Sequence, residues 1–220
     1  MTQQTVITII YTPSEALRAI AMQSLEATQA EFPTDRKLLG VDLGAPELLD
    51  YARGHGWEVV EPEHGGPPRM GSILRQCIDI TDSPVVWVIE HDALVLPGRR
   101  DAVTATLMAH DDVAGVDCMT CGPAGNLTYP GIYRISHPRH PADENLIVCK
   151  GQTSLNCGAW KRAAWDCVDW AKVPEFPATD RVVSQHMMAA GWKLCIALKQ
   201  TCIHLVGRAR KHLPREFWRG

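Results

Sequence analysis

Residues 85–98 read Val-Val-Trp-Val-Ile-Glu-His-Asp-Ala-Leu-Val-Leu-Pro-Gly, a continuous apolar run that ends abruptly in Glu90-His91-Asp92. A short apolar run without alternation fits a strand buried on both faces, as in a parallel sheet with helices above and below it. In an open α/β sheet ligands bind beyond the carboxyl ends of the strands, so the Glu90 and Asp92 carboxylates emerge where a substrate would lie. Taken alone, the acidic pair also fits a solvated turn after a strand.

Upstream of this stretch, strand and helix patterns alternate. Thr5 to Tyr11 is a β-branched run, stopped by Thr12-Pro13-Ser14, and Ala16 to Ala30 has helical spacing. Lys37 to Asp42 reads as a second buried strand, Glu47 to Gly54 as a short helix and Trp57 to Val60 as a third strand. A Gly/Pro-rich loop, Pro62 to Arg69, precedes a helix over Ser72 to Ile80. The alternation predicts an α/β domain with a central, mostly parallel sheet flanked by helices.

The downstream half is less regular. Ala102 to Ala109 reads as helix and Val113 to Cys118 as strand, but Gly122 to Asn145 shows no periodicity. Order returns in Trp160 to Ala171. Thr179 to Ala190 is a helix with Thr179 as its expected cap and Gly191 as its stop. Two short strands, Lys193 to Ala197 and Thr201 to Leu205, precede a basic tail.

With 220 residues, 45% hydrophobic and 21% charged, the chain has the composition of one soluble globular domain rather than of a disordered segment. A net charge of -3 predicts no overall attraction to nucleic acid or to an anionic membrane. The first apolar run lacks a basic flank and is too short to span a bilayer, so no membrane segment and a cytoplasmic location are expected. The eight cysteines sit mainly in apolar segments and read as reduced core thiols; Cys118-Met119-Thr120-Cys121 lacks the second pair that a zinc site requires.

Three motifs in order resemble those of the GT-A glycosyltransferases, particularly the family 2 type, and the likeness extends over most of the chain. Glu90-His91-Asp92 followed by Leu96-Pro97-Gly98 is similar to the D-x-D motif with its trailing apolar residue and proline. Thr179-Asp180-Arg181 opens a helix that ends in Gly191-Trp192-Lys193, and His204 lies near the chain's end in Cys202-Ile203-His204-Leu205. The resemblance implies a single GT-A-like (Rossmann-like) domain over residues 1–207, with residues 208–220 as a basic tail closing over the donor site. It implies a metal-dependent transferase that moves a sugar from a nucleotide diphosphate, a UDP-sugar first, to an acceptor hydroxyl with inversion.

Each position then acquires an expected role. Asp92 and His204 hold a divalent cation, which places their side chains within about 5 Å of each other given metal–ligand bonds of roughly 2.0–2.3 Å. Imidazole tilts the choice toward Mn²⁺ over Mg²⁺. Glu90 is a methylene longer than the usual aspartate and is placed with His91 against the donor. Thr12, Pro13 and Asp42 border the nucleotide, Arg69 and Arg75 the diphosphate, and Asn156 and Trp160 the sugar and acceptor. Arg208, Arg210 and Lys211 reach the phosphates from the tail, and Asp180 is the general base. Read without the resemblance, Asp42 is a turn residue, Arg75 a surface helix residue and His204 a core or edge histidine. Asp180 then favours its helix N-terminus, and residues 151–160 form a turn entering a helix. The acceptor is a glycan, a small molecule or DNA carrying hydroxymethylated bases, the last suggested by Phe217 and Trp218 among the tail's cations. From another class, the same scaffold would serve as a non-catalytic nucleotide- or metal-binding module.

Overall fold

The structure, a computed structural model, describes residues 3–61, 70–126, 138–175 and 178–205. Strand β1 (Gln4–Tyr11) is buried along all but its last residue. Ser14 then caps helix α1 (Glu15–Glu31), its hydroxyl accepting from Leu17 N at 3.4 Å. The helix buries Leu17, Ile20, Ala21, Ser24, Leu25 and Thr28, one stripe at helical spacing. Strand β2 (Arg36–Leu43) and helix α2 (Pro46–Gly54) follow, the proline standing where a helix tolerates a missing N–H. Strand β3 (Glu58–Val60), helix α3 (Met70–Asp79) and strand β4 (Val85–Glu90) complete the regular half.

The second half comprises β5 (Ala93–Leu94), α4 (Arg99–Met108), β6 (Val113–Cys121), β7 (Arg139–His140), β8 (Asp143–Val148) and β9 (Cys157–Lys161). It ends with the single turn α5 (Arg162–Trp165), α6 (Thr179–Ala189) and β10 (Lys193–His204). Among the described residues one sheet has the order β3-β2-β1-β4-β9-β6-β10-β8-β7, and β5 pairs with β10 off that path. β3, β2, β1 and β4 run parallel, and β6 pairs parallel with β10. β9 is inserted in the opposite sense between β4 and β6. The expected α/β architecture, with its mostly parallel central sheet, is therefore present. No helix among the described residues is long and apolar enough to cross a membrane.

Several local expectations are corrected. The ordered stretch from Trp160 to Ala171 is divided: Trp160 belongs to β9, α5 is four residues long, and a 3₁₀ turn follows at Trp170–Lys172. The two C-terminal strands are one, with an irregularity between Ala197 and Thr201 that preserves pairing to β6. Thr179 is the first residue of α6 rather than its cap; Ala178 takes that place with φ 77, and the Thr179 hydroxyl donates back to the carbonyls of Pro174 and Glu175. Within the stretch read as irregular, β7 forms and β8 begins, and the two pair antiparallel.

Helices α3 and α6 cover one sheet face through Ile73, Leu74, Val183 and Met187, which pack with Val86, Val88, Trp160 and Trp165. On the other face α4 contributes Val103 and Leu107 beside Trp87, Val116 and Cys118. Gly115 faces Trp160 across β6 and β9, and a Cβ at residue 115 would run into the indole. The eight cysteines are free thiols, six of them buried in these two cores.

Candidate metal centre

The parallel strands bring their carboxyl ends to one edge of the sheet. Ile9 of β1 is opposite Glu90 of β4, and Tyr11 is opposite Leu43 of β2. Because β10 runs parallel to β6, its terminal His204 arrives at this edge, while antiparallel β9 begins there just after Asn156. The two-residue strand β5 makes the decisive link. Ala93 pairs with His204 and Leu94 with Ile203, and Leu205 N donates to the Asp92 carbonyl at 2.8 Å. Residues 112 positions apart are thus held side by side by backbone hydrogen bonds. Ser24 of α1 pins the motif from below, its hydroxyl lying 3.1 Å from the Glu90 carbonyl and 2.7 Å from the Ala93 carbonyl. A serine in the middle of a mainly apolar helical stripe is the sequence signal for it.

His204 Nε2 lies 3.0 Å from Asp92 Oδ1 and 3.6 Å from Glu90 Oε2. One ligand atom from each of Glu90, Asp92 and His204 falls within 4.8 Å of the others. The Asp92 and His204 side chains lie within the expected distance of about 5 Å, and a Glu90 carboxylate oxygen belongs to the same cluster. Two carboxylates and one imidazole fit a divalent cation in both charge and donor type. Asp92 is 7% and His204 2% exposed, so the charges sit in a weakly screened environment.

That environment shifts every member. Burial pushes the Glu90 carboxyl up to about 7, with the Asp92 and Asp180 charges adding to the push and the His204 contact opposing it. Burial also raises Asp92, but its hydrogen bond to His204 and the imidazolium charge outweigh this and hold it below the usual carboxylate range. For His204 burial favours the neutral ring, yet the contacts to Asp92 and Glu90 carry it up to about 10. Beneath the site, burial and the neighbouring Cys202 and Glu90 raise Asp117 to about 8, the Leu155 and Ser154 amides pulling the other way. Asp117 is 2% exposed.

The structure sorts the remaining expectations. Thr12 and Pro13 follow the end of β1, where Thr12 N and Oγ1 both donate to the Leu43 carbonyl at 2.8 and 2.9 Å. Asp42 lies at the end of β2, and His91 follows Glu90 with burial lowering its affinity for a proton. Asp180 stands in the first turn of α6, raised by burial and close enough to act on the charge of Glu90. Two residues are placed elsewhere. Arg75 pairs with Asp79 at 3.3 Å on the exposed side of α3, because the two are one turn apart on a solvated face. Trp160 is fully buried four residues into β9, with its indole filling the space over Gly115, so it is a core residue and offers no stacking surface. Arg69, Arg208, Arg210 and Lys211, with the tail that contains Phe217 and Trp218, lie outside the described residues.

No family model matches the chain, and no curated protein matches it in sequence. Its fold does match solved structures. GalNAc-T7, solved with UDP, GalNAc and Mn²⁺, superposes with a TM-score of 0.68 at 10% identity over 92% of this chain. TarS of S. aureus superposes at 0.70 with 11% identity over 93%, and a TarS structure of residues 1–349 at 0.68 with 9% identity over 96%. These are GT-A fold glycosyltransferases, and the chain has their fold. It spans 43%, 37% and 63% of their respective lengths.

Proposed function

We propose that this chain is a metal-dependent glycosyltransferase that moves a sugar from a nucleotide diphosphate, a UDP-sugar first, to an acceptor hydroxyl. The observation that carries this reading is the convergence of Glu90, Asp92 and His204 at the carboxyl edge of a GT-A sheet, all three ligand atoms within 4.8 Å. GalNAc-T7, which shares the fold, was solved with UDP, GalNAc and Mn²⁺, and the donor set here suits the same ion.

Held by Glu90, Asp92 and His204, a divalent cation would neutralise the charge that develops on the departing diphosphate. The protein supplies the rest. Thr12 and Asp42, at the ends of adjacent strands, border the nucleotide, and the backbone pairing of β5 with β10 keeps the ligands at fixed spacing. Asp180, half-buried at the head of α6, takes the proton from the acceptor hydroxyl as it attacks, which makes the reaction inverting. Burial raises its proton affinity and so improves it as a base.

The test is release of UDP from a panel of UDP-sugars, with Mn²⁺ or with chelator, by the parent and by Asp92→Ala and His204→Ala. Mn²⁺-dependent release by the parent alone is expected. Donor binding without any release, hydrolytic or transferring, would make the chain a binding module. Undiminished release by both variants in chelator would remove the metal from the reading.

A further inference from the structure

Asn156 is 4% exposed and precedes β9, at the edge where the three ligands meet. Its backbone already belongs to the site, since Glu90 N donates to the Asn156 carbonyl at 2.8 Å. Three acceptors settle how its side-chain amide is oriented. With the NH₂ on their side it donates to Glu90 Oε2 at 2.8 Å, to Glu90 Oε1 at 3.2 Å and to the Ser154 carbonyl at 2.9 Å. The other amide atom, 3.4 Å from His204 Nδ1, is then the carbonyl oxygen. An oxygen there requires a proton on Nδ1, which leaves Nε2 to face Asp92 and Glu90.

The chain goes to some length to hold this residue in place. Leu155 adopts φ 53, a left-handed conformation that is strained for a residue with a side chain and persists only where the surroundings impose it. Two residues earlier, Thr153 N donates to Ser184 Oγ of α6 at 3.2 Å, fastening the segment to the helix that carries Asp180.

We propose that Asn156 is a positioning residue of the metal centre: its carbonyl fixes His204 with the proton on Nδ1 so that Nε2 is presented to the cation, and its NH₂ holds the Glu90 carboxylate beside it. This replaces the sequence-based placement of Asn156 against sugar or acceptor, and it rests on the metal reading above. Partners of this kind typically change metal affinity by about 10–100-fold when removed.

Mn²⁺ alone, titrated calorimetrically into the parent, Asn156→Ala, Asn156→Asp and Asp92→Ala, tests it without any turnover. Long-range ¹H–¹⁵N spectra of the Cd²⁺-loaded proteins report the His204 tautomer. Asn156→Ala is expected to weaken Mn²⁺ by about 10–100-fold and to lose the single Nδ1–H tautomer of the parent. Asn156→Asp keeps an oxygen opposite Nδ1 and so retains that tautomer, but it sets a second oxygen against Glu90 where the NH₂ donated, so its Mn²⁺ affinity stays below the parent's. If Asp92→Ala loses Mn²⁺ while Asn156→Ala keeps parental affinity and tautomer, the positioning role is overturned and the metal site stands. If the parent binds no Mn²⁺, or Asp92→Ala binds it equally, the metal reading falls and this inference with it. Should Asn156→Ala fail to fold, Asn156→Asp decides: loss of the Nδ1–H tautomer in that variant overturns the proposal.

Discussion

A proton on His204 Nε2 and the proposed cation would compete for the same place, between the imidazole and the two carboxylates. His204 Nε2 lies 3.0 Å from Asp92 Oδ1 and 3.6 Å from Glu90 Oε2, and these contacts carry the imidazole up to about 10. Metal binding must therefore expel that proton, and the apparent Mn²⁺ affinity should rise about tenfold per pH unit below that value, about 1.4 kcal/mol per unit. At about pH 7 the deficit relative to a deprotonated ring is roughly 10³-fold, or about 4 kcal/mol. Burial raises Glu90 to about 7, so at lower pH a second proton must leave and the slope steepens toward two. Without metal the sign is opposite. The paired imidazolium contributes stability that is complete below the ordinary histidine value of 6.5 and is lost as pH rises through about 10. Calorimetric titrations of Mn²⁺ in two buffers of different ionisation heat, at several pH values, measure both affinity and protons released. One proton per Mn²⁺ on the alkaline side of neutrality, rising toward two on the acid side, is expected. A pH-independent affinity with no proton release would refute the shared position of proton and cation.

Other perturbations have similarly defined outcomes. Asp180→Asn should keep donor affinity while losing about 10²–10⁴-fold in transfer rate, the usual contribution of a general base, and a loss of donor affinity at unchanged turnover would make Asp180 a binding residue. Asp117, raised by burial to about 8, lets the folded chain hold a proton that the unfolded chain releases, so its stabilising contribution is full below about pH 4 and falls as pH approaches about 8. Denaturant melts of Asp117→Asn should accordingly gain on the parent by about 1.4 kcal/mol per pH unit across that window, and a pH-independent difference would contradict a neutral buried acid. Gly115→Ala pushes a methyl into the Trp160 ring and should cost about 1–3 kcal/mol in the same assay, unless the indole finds another packing.

The elements from β1 to β4 were legible because their information is local: a buried parallel strand is a short apolar run, and a covering helix shows its stripe at 3.6-residue spacing. The order of Glu90-His91-Asp92, Asp180 and His204 was equally readable, and it located one edge of one sheet. Strand partners were not readable in the second half. Nothing in residues 151–161 says that β9 enters the sheet antiparallel between β4 and β6, which turns Trp160 from a surface for ligand into core over Gly115 and sets Asn156 at the site. Nor does the motif itself reveal that Ala93 and Leu94 pair with β10, the contact that carries Asp92 to His204 across 112 residues. Periodicity specifies what an element is, but the face a side chain presents and the hydrogen-bond partner it meets depend on which distant backbone lies alongside. Chain entropy makes that pairing a property of the whole sheet rather than of any window of sequence.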